Sequence, residues 1–290
     1  MFLYKDFLKE MEVFRQKGAF IGSIGKSILS QDIAFVRIGN PLGKAVIITG
    51  GIHAREHITV LLCLCLMKDM LLNPPDDFCI YAVPCVNPDG FRLATEGITF
   101  LNSNEKWKKL KPFLYRINGG TDFSLWKANI GGVDLNVNFD AEWGKGKRNV
   151  FSPASENYVG SYPLDQPESK ALADFTIEIN PQAVIALHCK GEVIYWNFHQ
   201  TGKVLWRDYN YAKRLMRVTG YPLTDSNGSS GGYKDWCIKR LMIPSVTIEV
   251  GRDCFSHPFP YEQFDDIYTK NKDILKETIR FLRPYRKEKS

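Results

Sequence analysis

A histidine and a glutamate stand three residues apart in Gly50-Gly51-Ile52-His53-Ala54-Arg55-Glu56-His57. Imidazole nitrogen and carboxylate oxygen both bind zinc, and a catalytic zinc site takes three protein ligands and keeps one position open. His53 and Glu56 therefore ask for one further histidine, and the chain has His57, His188, His199 and His257 to offer. The pattern is not the HExxH helix motif, which needs two histidines four apart. His57 directly follows Glu56 and would point elsewhere on a helix. His188 closes the apolar run Ala183-Val184-Ile185-Ala186-Leu187, so it stands at a strand end and is the best third ligand. His199 and His257 lie in polar or proline-rich loops. Glu249 sits inside Pro244-Ser245-Val246-Thr247-Ile248-Glu249-Val250-Gly251. An acid within a buried strand is costly unless paired or functional. From the strand alone, a salt-bridged core glutamate and a general base are equally open. A zinc hydrolase needs such a base, and burial raises a carboxylate's pKa towards a useful value.

These side chains need a frame. Residues 44–49 read as a buried strand, Gly50-Gly51 as a tight turn, and 58–67 as a helix of nearly unbroken apolar residues. Polar ligands between a buried strand and a buried helix fall where α/β sheets carry their sites, at the strand carboxyl ends. Phe2, Leu3, Phe7, Leu8, Met11 and Phe14 have helical spacing and predict a helix over 2–16. A hairpin is expected over 23–38, a second buried strand over 78–83, and a turn-rich loop over 84–90. Residues 99–132 read as a long, irregular, polar-aromatic functional loop. Helices are expected over 166–179 and 209–218, strands over 183–187 and 246–250, and a closing helix over 264–282. Strands alternating with helices predict an α/β fold: one domain, with a mixed, mostly parallel β-sheet flanked by helices on both faces. Residues 1–34 would form an N-terminal helix and lead-in, and 35–282 the core.

The 290 residues are 44% hydrophobic and 24% charged, enough to bury a sizeable core, and the net charge is +6. The basic residues are scattered. The densest runs, 106–111 and 283–289, read as solvated surface and tail, so no nucleic-acid partner is expected. A mildly basic face would suit an acidic polymer such as the bacterial wall. Seven cysteines, an odd number without a CxxC pair, fit free thiols in a reducing compartment better than a disulfide framework. The chain opens without a basic-then-apolar leader, and the 58–67 run is too short to span a bilayer. The expectation is a cytoplasmic monomer without a membrane partner, a trimmed secretory leader being the alternative.

Taken in order, His53-x-x-Glu56, Val86-Asn87-Pro88-Asp89-Gly90, Gly132-Val133-Asp134-Leu135-Asn136, His188, Ser230-Gly231-Gly232-Tyr233-Lys234-Asp235-Trp236 and Thr247-Ile248-Glu249 resemble the motifs of the carboxypeptidase A-like zinc metallopeptidases. The resemblance runs from about residue 35 to 282. It implies one zinc ion held by His53, Glu56 and His188, and a peptide substrate. It implies that Glu249 takes a proton from the attacking water and returns it to the leaving amine. It also implies a cation near the scissile carbonyl. The family usually has an arginine after a tryptophan there. This chain has Trp126-Lys127, so Lys127 supplies the charge without a two-pronged guanidinium contact.

The departures bear on the substrate. Typical members carry Asn-Arg in the anchoring motif, and the arginine grips the substrate's C-terminal carboxylate. Here Asn136 is followed by Val137, which cannot. The family's capping tyrosine falls at Asn227, leaving Tyr233 as a candidate substitute. Lys234 stands at the pocket-floor position and would favour an acidic group. The run His188-Cys189-Lys190-Gly191-Glu192-Val193-Ile194-Tyr195-Trp196, together with Trp126-Lys127-Ala128-Asn129, resembles the bacterial γ-D-glutamyl-diamino acid peptidases, with Cys189 as a departure. Those enzymes cut peptidoglycan stem peptides between D-glutamate and diaminopimelate. The resemblance implies a muropeptide substrate, with Lys234 facing the distal carboxylate of diaminopimelate. Glu192 would meet its amine, or pair with Lys190. One alternative is a carboxypeptidase removing C-terminal acidic residues, which Val137 disfavours. Another is a non-catalytic zinc-binding module, which the intact His53, Glu56, His188 and Glu249 disfavour.

Overall fold

The computed structural model describes residues 2–225 and 228–283. Among them, eight strands form one sheet: β1 Phe20–Lys26, β2 Asp32–Gly39, β3 Lys44–Thr49, β4 Phe78–Val83, β5 Ala183–Cys189, β6 Val193–Tyr195, β7 Leu223–Thr224 and β8 Ser245–Val250. Their spatial order is β1-β2-β4-β3-β5-β8-β6-β7. The central run β4-β3-β5-β8 is parallel, as is β6-β7. The pairs β1-β2, β2-β4 and β6-β8 are antiparallel. The helices are α1 Tyr4–Gln16, α2 His57–Leu72, α3 Pro88–Glu96, α4 Glu105–Lys108, α5 Lys111–Asn118, α6 Pro167–Ile179, α7 Gly202–Thr219, α8 Tyr233–Leu241, α9 Phe264–Asn271 and α10 Ile274–Leu282. No helix among the described residues is long and apolar enough to cross a membrane.

Successive strand residues point to opposite faces, and both faces are covered. Val46, Ile48, Ile185, Leu187, Val246 and Ile248 pack with residues of α1, α2, α7, α9 and α10. Ile47, Val83, Val184 and Ala186 pack on the other face with residues of α6 and α8. This explains why β4 and β5 are apolar without alternation: every residue of both is buried. Tyr4, Phe7, Met11 and Phe14 of α1 lie in the first layer and β1 is paired in the sheet, so the stretch before residue 35 is part of the same body.

Besides α7, which starts at Gly202 ahead of the expected 209–218 helix, three stretches differ from the sequence expectation. Residues 99–118 are not irregular, although 119–132 carry no helix or strand. A 3-10 turn, Ile98–Ser103, leads into α4 and α5. Leu101, Leu114, Phe123, Trp126 and Ile130 give this region a small core of its own. Its helices are too short to show a 3.6-residue period, but Pro112 in the first turn and Gly119 at φ +71° do mark the ends of α5. The expected turn at 84–90 runs into α3, where the Asn87 side chain accepts from Gly90 N and Pro88 starts the helix. The closing helix is two helices, α9 and α10.

Two buried carboxylates pin the turn between β1 and β2 to the core. Glu168 Oε1 accepts from Ile28 N at 3.2 Å and its Oε2 from Asn129 Nδ2 at 3.1 Å. Asp89 Oδ2 accepts from Leu29 N at 2.8 Å. Burial lifts Glu168 to about 7, with nearby Asp89 adding to the rise, and burial lifts Asp89 to about 6. A carboxyl whose folded pKa is raised gives its full stability below the unfolded value and loses it as pH climbs through the folded one. Between pH 5 and 8, Glu168 alone should cost on the order of 2 kcal/mol. Glu168→Gln is therefore expected to be less sensitive to this rise in pH than the wild type. Urea unfolding of both proteins at the two pH values checks it, and identical pH dependence would contradict it.

Candidate active site

The site is built at the carboxyl ends of β3, β5 and β8, where parallel sheets leave a crevice. After β3 the chain turns sharply through two glycines. A Cβ on Gly50 would stand 2.7 Å from Thr59 O, and one on Gly51, at φ +57°, 2.7 Å from the Val60 side chain. Only glycine lets α2 approach the strand end this closely. Gly51 N donates to Thr59 Oγ1 at 2.9 Å, which closes the turn. The turn delivers His53 and Glu56 to the crevice. His188 and Glu249 face it as register partners on the parallel pair β5 and β8.

His53, Glu56 and His188 converge. One ligand atom from each lies within 4.8 Å of the others, and all three residues are buried. The two Nδ1 atoms are 3.2 Å apart. Glu56 Oε1 lies 2.7 Å from His53 Nδ1, and Oε2 lies 3.3 Å from His188 Nδ1. His53 Nε2 meets Asp134 Oδ1 at 3.2 Å. With the ring proton donated there, Nδ1 turns a lone pair towards the carboxylate and the second imidazole, an arrangement that calls for a cation. The electrostatics agree. Burial opposes it, but the imidazoles of His53 and His188 hold the Glu56 carboxyl well below the usual range. Against burial, Glu56 and Asp134 raise the pKa of His53. Two imidazoles and a carboxylate are a donor set that fits zinc.

Asp134 orders the next layer. Besides His53 it holds Lys127 Nζ at 2.7 Å, and it accepts from Asn136 N and Asn157 N at 3.1 Å each. Despite complete burial, Lys127 and His53 keep its carboxyl well below the usual range. Lys127 O in turn accepts from Ala54 N at 3.0 Å, which ties its loop to the His53 turn. A partner that orients a metal-binding imidazole is typically worth about 10–100-fold in affinity. Asp134→Asn is expected to lose that much zinc affinity in chelator competition, and an unchanged affinity would contradict the role.

These groups open onto a cavity of about 540 Å³ lined by His53, Lys127, Asn136, Val137, His188 and Glu249 among others. Glu249 is half-buried. Loss of contact with bulk water pushes its carboxyl up to about 7, the positive influence of His188 and Lys127 opposing and Glu56 adding to the rise. A carboxylate poised near neutrality beside a metal site can exchange protons with water.

The structure distributes the expected substrate contacts unevenly. Asn136 lines the cavity, and its Oδ1 accepts from Tyr233 N at 3.1 Å, fixing the start of α8. Lys234 also lines it, but the ammonium is already held by Asp235 at 2.6 Å and by Asn197 O at 2.8 Å. Tyr233 is not brought to the cavity. Its ring is fully buried between Phe139 and Trp236, and its hydroxyl bonds Thr176 at 2.7 Å, so it cannot stand in for a capping phenol. Asn227 lies outside the described residues. Glu192 pairs with Lys270 at 2.7 Å, while Lys190 pairs with Asp253. The orienting role of Asp134 was not read from the sequence, although the residue stands in one of its motifs. Tyr195, Arg148 and Asn149, which also line the cavity, were not read as site residues either.

A model of the zinc carboxypeptidase family matches residues 4–274. The γ-D-glutamyl-L-diamino acid endopeptidase 1 of Lysinibacillus sphaericus is 36% identical over 267 residues, which cover 87% of this chain and 65% of that protein. Carboxypeptidase B of Bos taurus is 26% identical over 264 residues, covering 79% and 57%. This chain thus spans less than two thirds of the length of these two relatives, 65% and 57%. Among solved structures, bovine thrombin-activatable fibrinolysis inhibitor, in complex with tick carboxypeptidase inhibitor, superposes with a TM-score of 0.79 at 21% identity, over 97% of each chain.

Proposed function

This chain belongs to the zinc carboxypeptidase family and is a zinc metallopeptidase domain, and on that footing we propose that it hydrolyses the γ-D-glutamyl–diaminopimelate bond of peptidoglycan stem peptides. His53, Glu56 and His188 would hold the metal. A zinc ion held there would supply Lewis-acid chemistry to the scissile carbonyl and the attacking water. Glu249 accepts that proton, and its near-neutral carboxyl can return it to the leaving amine. Lys127 presents its ammonium to the oxygen on which negative charge develops, and Asp134 keeps both Lys127 and His53 in position.

The observation that carries the substrate reading is Val137 in the cavity wall. By the resemblance, a carboxypeptidase places there the arginine that grips a C-terminal carboxylate, and an isopropyl group cannot. With Lys127 and Lys234 already paired to Asp134 and Asp235, Lys147 and Arg148 are the cations that the cavity wall offers to a wall peptide rich in carboxylates. The relative that is 36% identical, named for γ-D-glutamyl-L-diamino acid cleavage, supports the same reading. The second reading, release of C-terminal acidic residues, draws on Lys234. It is weakened because Asp235 already shares that ammonium.

The two readings separate on an isomeric pair of substrates. L-Ala-γ-D-Glu-meso-diaminopimelate should be turned over with kcat/KM at least about 100-fold above its α-L-Glu isomer, a ratio within reach of a site built around one backbone geometry. Equal rates on both isomers would contradict the proposal.

A further inference from the structure

Val137 leaves one wall of the cavity without the cation that would anchor a substrate carboxylate, yet the chain returns to that wall shortly afterwards. Phe139 N donates to Gly231 O at 2.9 Å, Gly231 N to Ala141 O at 2.7 Å, and Lys147 N to Gly228 O at 2.9 Å. A Cβ on Gly231 would stand 2.7 Å from Val137 O. The 137–149 and 228–231 segments are therefore stitched into one surface. On it, Asn149 N donates to Gly146 O at 3.1 Å and closes a turn whose four residues all line the cavity. The Asn149 side chain folds back over this turn, its Oδ1 2.7 Å from where a Cβ on Gly146 would stand.

The turn offers donors with nothing to bind. Lys127 and Lys234 are held by Asp134 and Asp235. Arg148 is exposed and has no ion pair or hydrogen bond among the described residues. Beside it, Asn149 Nδ2 is buried without a hydrogen-bond partner. The charge of Arg148 is felt at Tyr195, on β6 beside the strand that carries Glu249. The Tyr195 phenol is pushed up by burial and by Glu249, and Arg148 opposes that rise. A guanidinium next to an amide is a donor set matched to a carboxylate.

We infer that Arg148, supported by Asn149, anchors the α-carboxylate of the leaving diamino acid, the part Val137 cannot play. The inference rests on the wall-peptide reading above. It makes Arg148 a specificity-determining residue that acts on binding rather than on the proton transfers.

The test uses zinc-loaded wild type, Arg148→Ala and Arg148→Lys. Each is given L-Ala-γ-D-Glu-meso-diaminopimelate and two amides of it, one at the α-carboxylate beside the cleaved bond and one at the distal carboxylate. Arg148→Ala should lose about 10- to 100-fold in kcat/KM on the free acid, mainly through KM. It should also lose as much on the distal amide, but no more than about twofold on the α-amide, where the wild type is already slow. Arg148→Lys should recover part of the loss. Equal losses on the acid and the α-amide, no loss on the acid, or a loss that disappears with the distal amide instead would overturn the assignment. A wild type inert on all three peptides would overturn the wall-peptide reading and this inference with it, a result distinct from an active wild type indifferent to Arg148.

Discussion

Glu249→Gln is expected to bind one zinc as tightly as the wild type and to lose roughly 10²–10⁴-fold in kcat. The glutamate faces the cavity from β8, beside His188 on β5, but is not among the three converging donors. Glutamine keeps its size and leaves those donors untouched. It removes the carboxylate that burial holds near neutrality, and with it the proton acceptor. Metal content measured alongside turnover separates the two roles. A variant that keeps its rate means that another group is the base, and a variant that loses zinc means that Glu249 belongs to the metal site.

His188→Ala should do the opposite and lose the metal. It leaves two donors where a catalytic zinc site takes three. The loss of affinity should exceed the 10–100-fold expected when only an orienting partner is removed. His57 is the informative control. It directly follows Glu56, is buried, and neither ring nitrogen has a hydrogen-bond partner, so by burial alone it would serve as well. Its ring instead stacks on Tyr261 at 4.7 Å, away from the trio. Dialysis against a chelator followed by metal analysis should show His188→Ala stripped and His57→Ala loaded. The reverse pattern would reassign the third ligand.

The trio and Glu249 were legible because of where they stand in their runs. Each polar residue follows or interrupts an apolar strand, and strand ends in a parallel sheet share one edge. The glycine pair was legible as a turn, though only the structure shows that Thr59 and Val60 exclude a side chain there. What local sequence could not carry was partnership over distance. Nothing near Asp134 says that its oxygens meet His53, 81 residues away, and Lys127. Nothing near Glu192 points to Lys270 rather than Lys190. Tyr233 sits beside a cavity residue in sequence, but the helical turn sends its ring into the core towards Thr176. The 99–132 stretch hid its helices because four to eight residues are too few to express a period.

The most direct test is mass spectrometry of the products after zinc-loaded protein is incubated with L-Ala-γ-D-Glu-meso-diaminopimelate and, in parallel, with ordinary peptides ending in glutamate. Release of diaminopimelate from the first alone is the predicted result, and it would account for Val137 in the cavity wall. Release of glutamate from the second, with the first left intact, would contradict the account and make the chain an acid-selective carboxypeptidase.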